Sequence, residues 1–232
     1  DLKKVTAAYS KAYGMVLSTG PTGSGKTTTI YAILKILNTR EKNITTIEDP
    51  VEYRIKGVNQ INVNPKTDLT FANGLRSILR QDPNVVFVGE IRDSETAGIA
   101  VNAALTGHLV LSTLHTNDAA TALPRLIDMK VEPFLVASTV NIIIAQRLIR
   151  KICDMCKVSY DIFRSDLIKN LPATIITKHF GENENIHLYR GKGCKICHST
   201  GYAGRLGIFE VLEVTKEIRN LITSKNDSDI IG

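Results

Sequence analysis

Apolar residues follow two alternating patterns along the chain. Short, continuous apolar runs occupy residues 15–19, 43–48, 84–89 and 108–114. Between these runs, apolar positions recur with the period of a helix at residues 26–37, 71–81 and 94–106. A strand that is apolar along its whole length is buried on both faces, so the alternation predicts a parallel sheet covered by helices on each side. We therefore predict an α/β fold.

Three further segments carry weaker signals. Residues 54–64 alternate weakly, which is consistent with a hairpin or with an excursion at the edge of the sheet. Helical patterns at 118–129 and 133–149 predict two more helices, and Asn117 or Asp118 is a suitable N-cap for the first.

The composition is that of an ordinary globular protein. Of the 232 residues, 43% are hydrophobic and 22% are charged, which excludes a disordered or fibrous chain. The net charge is +6, but the basic residues are scattered, with no run of five, so a solvated surface is favoured over a groove for polyanions.

The chain gives no sequence signal for a membrane span or a signal peptide. The most apolar candidate, residues 131–149, carries Glu132, Asn141 and Gln146 and is interpreted as a buried helix. The chain begins at Asp1, inside a predicted helix, rather than at a methionine, so we expect a fragment of a longer protein.

A glycine-rich loop follows the first predicted strand and fits the pattern G-x-x-x-x-G-K-[ST] in full. Its residues, with the one that follows, are Gly20, Pro21, Thr22, Gly23, Ser24, Gly25, Lys26, Thr27 and Thr28. In such a loop, backbone N–H groups face the phosphates, Lys26 bridges the β- and γ-phosphates, and Thr27 ligates Mg²⁺. The alternative is a turn that binds nothing, but strand, loop, Lys-Thr pair and helix all agree on a nucleotide site.

Two acidic segments are candidates for hydrolysis chemistry. The strand at 84–89 ends in Gly89-Glu90, so glycine stands where P-loop hydrolases usually carry aspartate, and Glu90 would act on Mg²⁺ through its waters. A cluster from Glu48 to Glu52 follows another strand and would open onto the same crevice. The alternative for this cluster is a capped, solvated turn.

Two histidines bracket the strand at 108–114. His115 follows its carboxyl end, where a group that senses the γ-phosphate would lie, and His108 lies at its beginning. A lone histidine is more often structural, and for His108 both interpretations remain open.

All four cysteines lie in two C-x-x-C units, Cys153 with Cys156 and Cys194 with Cys197. Two such units predict a tetrahedral, structural zinc site, with a loop and a helix in the stretch between them. The alternative of disulfides suits secreted proteins, whereas a nucleotide site implies reducing cytosol. His198 is a possible substitute ligand.

The order of these motifs resembles the secretion and pilus ATPase superfamily, and in particular its GspE/PilB-type assembly branch, over nearly the whole chain. Residues 20–28 resemble its Walker A motif, 46–52 its Asp box, 75–92 its atypical Walker B and 107–117 its His box. The resemblance implies a RecA-like P-loop fold with ATP, Mg²⁺ and structural Zn²⁺. Assembly-type members commonly carry the tetracysteine element, and retraction-type relatives lack it.

The resemblance also implies roles for single residues. Glu52 would be the general base or water-orienting acid, Glu90 the Walker B acid and His115 the γ-phosphate sensor. Arg76 and Arg80 match arginines thought to reach a neighbouring subunit's nucleotide, although two surface arginines are the alternative.

The chain also departs from the family pattern. Asn84 stands where the family commonly has aspartate. The family's N-terminal domain lies outside this chain, and with it any arginines that it contributes, so activity of the chain alone is in question.

Composition changes divide the chain into three predicted parts. These are a RecA-like ATPase core at 1–150, a tetracysteine zinc-binding subdomain at 151–204, and a segment at 205–232 that returns to the core. The last part contains a β-like pattern at 206–214 and a polar tail at 224–232 that we expect to be frayed or truncated.

The function implied by the resemblance is ATP hydrolysis that drives a hexameric secretion or pilus-assembly motor. Such a motor is cytoplasmic, peripheral to the bacterial inner membrane and partnered by platform or adaptor proteins of the machine, with nucleic acid not expected. The alternatives are a zinc-containing nucleic-acid-binding ATPase, which a steep salt dependence of binding would reveal, and a nucleotide-gated assembly module with negligible turnover. Whether the machine secretes proteins or builds pili stays open.

Overall fold

The computed structural model describes residues 1–223, and most of its strands form one seven-stranded sheet. The strands are β1 Gly14–Thr19, β2 Ile44–Glu48, β3 Asn59–Asn62, β4 Val85–Val88, β5 Leu109–Leu114, β6 Val140–Ile152, β7 Lys157–Phe163, β8 Asn185–Gly191 and β9 Tyr202–Glu213. The sheet has the order β3-β2-β4-β5-β1-β6-β9, and its pairings from β3 through β6 are parallel. The predicted α/β class is therefore confirmed.

Helices cover the two faces of this sheet. The helices that do so are α1 Leu2–Tyr9, α2 Lys26–Leu37, α3 Phe71–Leu79, α4 Ser94–Leu105, α5 Ala122–Asp128, α6 Pro133–Thr139 and α9 Lys216–Thr223. Two further helices, α7 Arg164–Ile168 and α8 Ala173–Phe180, lie between β7 and β8. Side chains of β1 alternate between two apolar clusters: Met15 and Leu17 belong to one, and Val16 belongs to the other. The first cluster includes residues of α3, α4, α5, α6 and α9, and the second includes residues of α1 and α2. Burial on both faces explains why these strands are continuously apolar.

The register of the sheet brings several strand ends to one edge. Thr19, the last residue of β1, lies opposite Leu114, the last residue of β5. Val88 at the end of β4 lies opposite Ser112 of β5 and opposite Ile47 of β2. The segments that follow these strands therefore emerge side by side, as the parallel arrangement predicted.

The prediction of one helix over residues 133–149 is wrong for the residues after Thr139. The helix α6 ends at Thr139, and the chain continues as β6, which pairs in parallel with β1. Its first seven residues are buried, and a buried strand and a buried helix have the same continuous apolar character, so periodicity did not separate them. The β-branched run Ile142-Ile143-Ile144 was the local signal for a strand.

Smaller corrections concern two connecting segments. Of the two interpretations of residues 54–64, the excursion at the edge of the sheet is confirmed and the hairpin is wrong, because these residues hold β3, an edge strand parallel to β2. The helix predicted at 118–129 is only α5, which begins at Ala122. Asp118 does accept a backbone hydrogen bond, from Thr121 N–H at 2.8 Å, but it does so in the turn before that helix.

The structure divides into two compact units. One comprises Asp1–Arg147 with the segment that begins at Gly207, and the other is Leu148–Leu206. In the second unit, β7 and β8 form an antiparallel pair, and α7 and α8 lie in the connection between them, where a loop and one helix were predicted. The predicted tail at 224–232 lies outside the described residues.

Within residues 1–223, no helix combines the length and the apolar character needed to cross a membrane.

Candidate active site

The glycine-rich loop connects β1 to α2 and wraps around the side chain of Lys26. Gly20, Gly23 and Gly25 all have positive φ, a backbone conformation that side chains rarely allow. The Lys26 ammonium is buried and donates hydrogen bonds to the carbonyl oxygens of Gly20, at 2.8 Å, and Pro21, at 3.1 Å. Burial lowers the pKa of Lys26, and the nearby Glu90 carboxylate opposes this shift.

The loop contains a polar atom that lacks a partner. Ser24 Oγ is buried and makes no hydrogen bond within the described chain. Because buried hydroxyls normally have partners, an orphan here is what a loop built around a phosphate would show. Thr27 lies half-buried on the first turn of α2, where its hydroxyl would hold Mg²⁺, and Thr28 beside it is exposed.

Glu90 lies at the shared edge, just beyond β4. Its Oε1 forms an ion pair with Arg92 Nη2 at 2.6 Å, and its Oε2 is 3.4 Å from His115 Nε2. That second contact lacks hydrogen-bond geometry, so Oε2 remains a buried acceptor without a donor. Fold and register thus bring Glu90 and His115 together and place Glu90 close enough to influence the charge of Lys26.

The acidic cluster after β2 separates into two environments. Glu48 is buried, and its carboxylate accepts hydrogen bonds from Tyr31 Oη and from Thr46 Oγ1 at 2.5 Å. Glu52 is exposed, and its backbone N–H donates to Tyr31 Oη at 3.3 Å. The two ends of the cluster therefore have different surroundings, although the sequence presents them as one group.

The two candidate arginines lie on the exposed face of α3 and at its C-cap. Arg76 forms an ion pair with Glu95 at 2.7 Å, and Arg80 donates to Ser77 Oγ at 3.1 Å. Neither of these contacts involves the glycine-rich loop. His108, by contrast, has its Nδ1 3.1 Å from the carbonyl oxygen of Ala103, which favours the structural interpretation of this histidine.

The contribution of Gln146 was not predicted from the sequence, because residues 133–149 have the pattern of a buried helix. From β6, the Gln146 amide donates to the Ser24 carbonyl oxygen at 2.8 Å and accepts from Ser18 Oγ at 3.2 Å. A Cβ at Gly20 would lie 2.3 Å from the Gln146 carbonyl oxygen, so Gly20 is also required by close packing. Only the strand assignment would have revealed this support for the loop.

A pocket of about 180 Å³ adjoins this part of the sheet. Its lining residues are Asn117, Ala145, Gln146, Arg147, Ile208, Phe209 and Glu210.

The four cysteines converge in the second unit. Their sulfur atoms lie within 4.8 Å of one another, and three of the separations are 3.7, 3.8 and 3.9 Å. Four thiolates about 2.3 Å from a zinc ion at the centre of a tetrahedron are about 3.8 Å apart, so the donor set fits Zn²⁺. These distances also exclude disulfide bonds among them.

Backbone donors add to the fit at this cluster. Burial acts to raise the pKa of the Cys197 thiol, but N–H groups of Cys194 and Gly201 and the neighbouring thiols outweigh it and lower the pKa to about 6. For Cys156, burial is the largest effect and raises the pKa to about 11. A thiolate that accepts N–H hydrogen bonds is a typical zinc ligand.

A phosphate loop between β1 and α2, a buried lysine and an acid just beyond β4 define a P-loop nucleotide-binding core of RecA-like α/β fold. The chain matches the family described as type II/IV secretion system protein over residues 1–231, and it belongs to that family.

Relatives agree with this assignment. Type II secretion system protein E of Pseudomonas aeruginosa is 51% identical over 228 residues, which cover 97% of this chain and 43% of that protein. Type IV pilus assembly ATPase PilB of Thermus thermophilus is 52% identical over 217 residues, which cover 93% of this chain and 24% of that protein. The chain thus spans less than half the length of these relatives.

A solved structure agrees as well. The crystal structure of the pilus retraction motor PilT with bound ADP matches with a TM-score of 0.69 and 34% identity, covering 95% of this chain and 53% of that chain.

Proposed function

We propose that this chain is the motor core of an ATPase that hydrolyses ATP to ADP and phosphate and moves the subunits of a secretion or pilus-assembly ring. The observation that carries the proposal is the convergence of Lys26, Glu90 and His115 at one edge of the parallel sheet. One relative is named a type II secretion system protein and another a type IV pilus assembly ATPase, and these names support ATP as the nucleotide and secretion or pilus assembly as the work.

Each side chain has a proposed task in the reaction. Lys26 leaves the loop carbonyls and binds the β- and γ-phosphates, and His115 contacts the γ-phosphate. Thr27 and Glu90 would hold Mg²⁺, which neutralises charge on the phosphates. Glu52 accepts a proton from the attacking water while the water oxygen forms a bond to the γ-phosphorus. The bond from the γ-phosphorus to the oxygen that bridges it to the β-phosphate breaks at the same time, and ADP leaves.

In the proposed ring, a neighbouring subunit supplies an arginine to each nucleotide site. We place Arg76 or Arg80 at a neighbour's nucleotide, because both are exposed, Arg76 on α3 and Arg80 at its C-cap. A hexamer at the cytoplasmic side of the inner membrane, docked on platform or adaptor proteins, is the assembly that we propose. In the other unit we propose a structural Zn²⁺ held by Cys153, Cys156, Cys194 and Cys197.

The test is Glu52→Gln in the full-length protein. Nucleotide affinity is expected to stay within about threefold, while turnover falls about 10²–10⁴-fold, the usual contribution of a general base. The matched control is Glu41→Gln, which neutralises an exposed carboxylate in the loop before β2 and is expected to hydrolyse ATP at the wild-type rate.

Two results would contradict the proposal. A Glu52→Gln protein with normal turnover would remove Glu52 from the chemistry. Equal and negligible turnover in both wild type and variant, with intact nucleotide binding, would favour the nucleotide-gated assembly module instead.

A further inference from the structure

A buried polar pair near the candidate active site is not used in the proposed chemistry. Tyr31 is fully buried and Glu48 is 2% exposed, and the hydroxyl of Tyr31 donates a hydrogen bond to the Glu48 carboxylate. Thr46 Oγ1 donates to the same carboxylate, but no basic side chain pairs with it among the described ion pairs. A buried carboxylate without a cation is costly, so a role for it is to be sought.

The hydroxyl of Tyr31 has one proton and two acceptor positions. Because the proton is directed to Glu48, the oxygen is left to accept hydrogen bonds, and it accepts from the Glu52 backbone N–H and from Gln60 Nε2, both at 3.3 Å. Burial, with the help of Glu48, raises the pKa of Tyr31 and keeps the hydroxyl protonated. Glu48 therefore sets the orientation in which Tyr31 can hold Glu52.

Other contacts restrain the same loop on both sides of Glu52. The Val51 N–H donates to Asn62 Oδ1 at 2.7 Å, and the Ile55 N–H donates to Gln60 Oε1 at 2.7 Å. Asn62 and Gln60 both lie on β3, which pairs with β2. The loop is thus tied to the sheet edge before and after Glu52, and Tyr31 makes the contact at Glu52 itself.

Tyr31 also connects this loop to the phosphate site. It lies on α2, the helix whose first residue is Lys26, and its ring packs edge-on against Tyr53 at 4.7 Å and Phe87 at 6.2 Å between ring centres. Its position is therefore fixed by a helix that begins at the phosphates and by a strand of the sheet. A rigid connection of this kind sets the distance between the phosphates and the loop that carries Glu52.

We infer that Tyr31 and Glu48 are positioning residues that hold Glu52 in register with the P-loop. The inference rests on the proposed function, in which Glu52 accepts the proton of the attacking water. In this inference Tyr31 and Glu48 act through the backbone of Glu52, by way of the hydrogen bond from its N–H to Tyr31 Oη.

The experiment is a double-mutant cycle between Tyr31→Phe and Glu52→Gln in the full-length protein, measured by single- and multiple-turnover ATP hydrolysis. Tyr31→Phe is expected to lower kcat about 10-fold with KM and ADP affinity changed less than about threefold. In the Glu52→Gln background the same change is expected to alter the residual rate less than about twofold, since the group that it positions is gone. Tyr9→Phe is the control, because Tyr9 is a buried tyrosine of the same apolar cluster whose hydroxyl contacts Thr6 in its own helix.

The outcomes separate the inference from the proposed function. The inference is overturned if Tyr31→Phe has the wild-type kcat, or if it lowers the rate equally in the wild-type and Glu52→Gln backgrounds. If Glu52→Gln alone is slow, the proposed function still holds in both of these cases. A normal rate in Glu52→Gln overturns both. If Tyr31→Phe does not fold, the double variant Tyr31→Phe with Glu48→Leu replaces it. This variant removes both partners and so leaves no polar atom of the pair unsatisfied. Its rate is expected to show the same dependence on Glu52.

Discussion

Gly89 stands where P-loop hydrolases usually carry an aspartate, and packing against the neighbouring strand accounts for it. A Cβ at this position would lie 3.2 Å from the Cα of Glu48 and 3.3 Å from the carbonyl oxygen of Ile47. Both are backbone atoms of β2, which cannot move without disturbing the sheet. In the proposed function, the acid of this motif is Glu90, one residue later.

Substitution of Gly89 tests this explanation directly. Gly89→Ala is expected to lower the free energy of unfolding by about 1–3 kcal/mol, the usual cost of overpacking. Gly98→Ala is the matched control, because a Cβ there meets nothing within 4 Å and lies inside α4, where alanine is favoured over glycine by about 0.5–1 kcal/mol. Urea unfolding measures both, and equal stability changes would contradict the packing argument.

The second residue-scale prediction concerns Lys26 and pH. Burial lowers the pKa of the free loop's lysine, and bound phosphates would favour its charged form and raise that pKa again. Above the lowered pKa, binding must then take up a proton, so nucleotide affinity is expected to fall as the pH rises through that value.

Calorimetry in buffers of different ionisation enthalpy, over a range of pH that extends up to the ordinary lysine pKa of about 10.4, measures this proton uptake. Lys26→Arg keeps the charge at every pH in this range and is expected to show no uptake if it binds nucleotide. A wild-type affinity that is constant over the range would contradict the prediction.

At the scale of elements, α3 and α4 begin with side-chain caps, whereas α2, whose N-cap is Gly25, begins without one. Asp93 caps α4 by accepting from the Thr96 N–H at 2.8 Å and from the Thr96 hydroxyl at 3.0 Å. Thr70 caps α3 in the same way, through Asn73 N–H at 3.2 Å. The cap at Asp93 lies directly after the Glu90–Arg92 pair, so it also ends the loop that carries the acid.

Removal of the Asp93 cap is expected to be costly but local. Asp93→Ala should lower the unfolding free energy by about 1 kcal/mol, and Asp93→Asn, which keeps an acceptor, by less than about half of that. Hydrogen exchange at the first turn of α4 should rise only in the alanine variant. Equal losses in the two variants would show that the charge, and not the acceptor, matters.

At the scale of the whole molecule, the two compact units are stabilised by different means. Asp1–Arg147, with the segment from Gly207, has buried apolar clusters on both faces of its sheet. The unit Leu148–Leu206 has few fully buried apolar side chains, among them Ile176 and Ile186. A small unit of this kind usually needs a metal or disulfides, and its four thiols are unbonded.

Metal analysis of protein purified without added zinc should therefore find about one zinc ion per chain. Chelation is expected to make the unit Leu148–Leu206 sensitive to protease while nucleotide binding survives. The variant Cys156→Ser with Cys197→Ser serves as the metal-free control. Absence of metal, together with four freely titrating thiols, would overturn the zinc proposal.

The last prediction concerns the ring. If Arg80 serves a neighbour's nucleotide, its loss removes an arginine worth about 10³–10⁵ in rate. In mixed rings of Glu52→Gln and Arg80→Ala subunits, some sites regain both groups, so activity is expected to exceed that of either variant alone. The control mixes Arg80→Ala subunits with subunits that carry both Glu52→Gln and Arg80→Ala, because these supply no arginine to a neighbour. Mixtures that never exceed the separate activities would place Arg80 outside its neighbour's site.

The sequence by itself determined the features that depend on neighbouring residues. The glycine-rich loop is recognisable because its glycines, lysine and threonine are close together in the sequence. The two cysteines of each C-x-x-C unit are also close together, so these units are recognisable too. The sequence also placed Glu90, His115 and the acidic cluster at one edge, because parallel strands share the direction of their carboxyl ends. The sheet confirms that placement.

Only the tertiary structure decided what depends on contacts distant in sequence. The pattern at 133–149 fits a buried helix or a buried strand equally, and pairing with β1 makes it a strand. That strand brings Gln146 to the loop 122 residues away. Glu48 and Glu52 are likewise similar in sequence, and only the structure shows that Glu48 is buried at the end of β2, hydrogen-bonded to Tyr31, while Glu52 is exposed. Burial and long-range pairing are properties of the assembled sheet, so local composition does not encode them residue by residue.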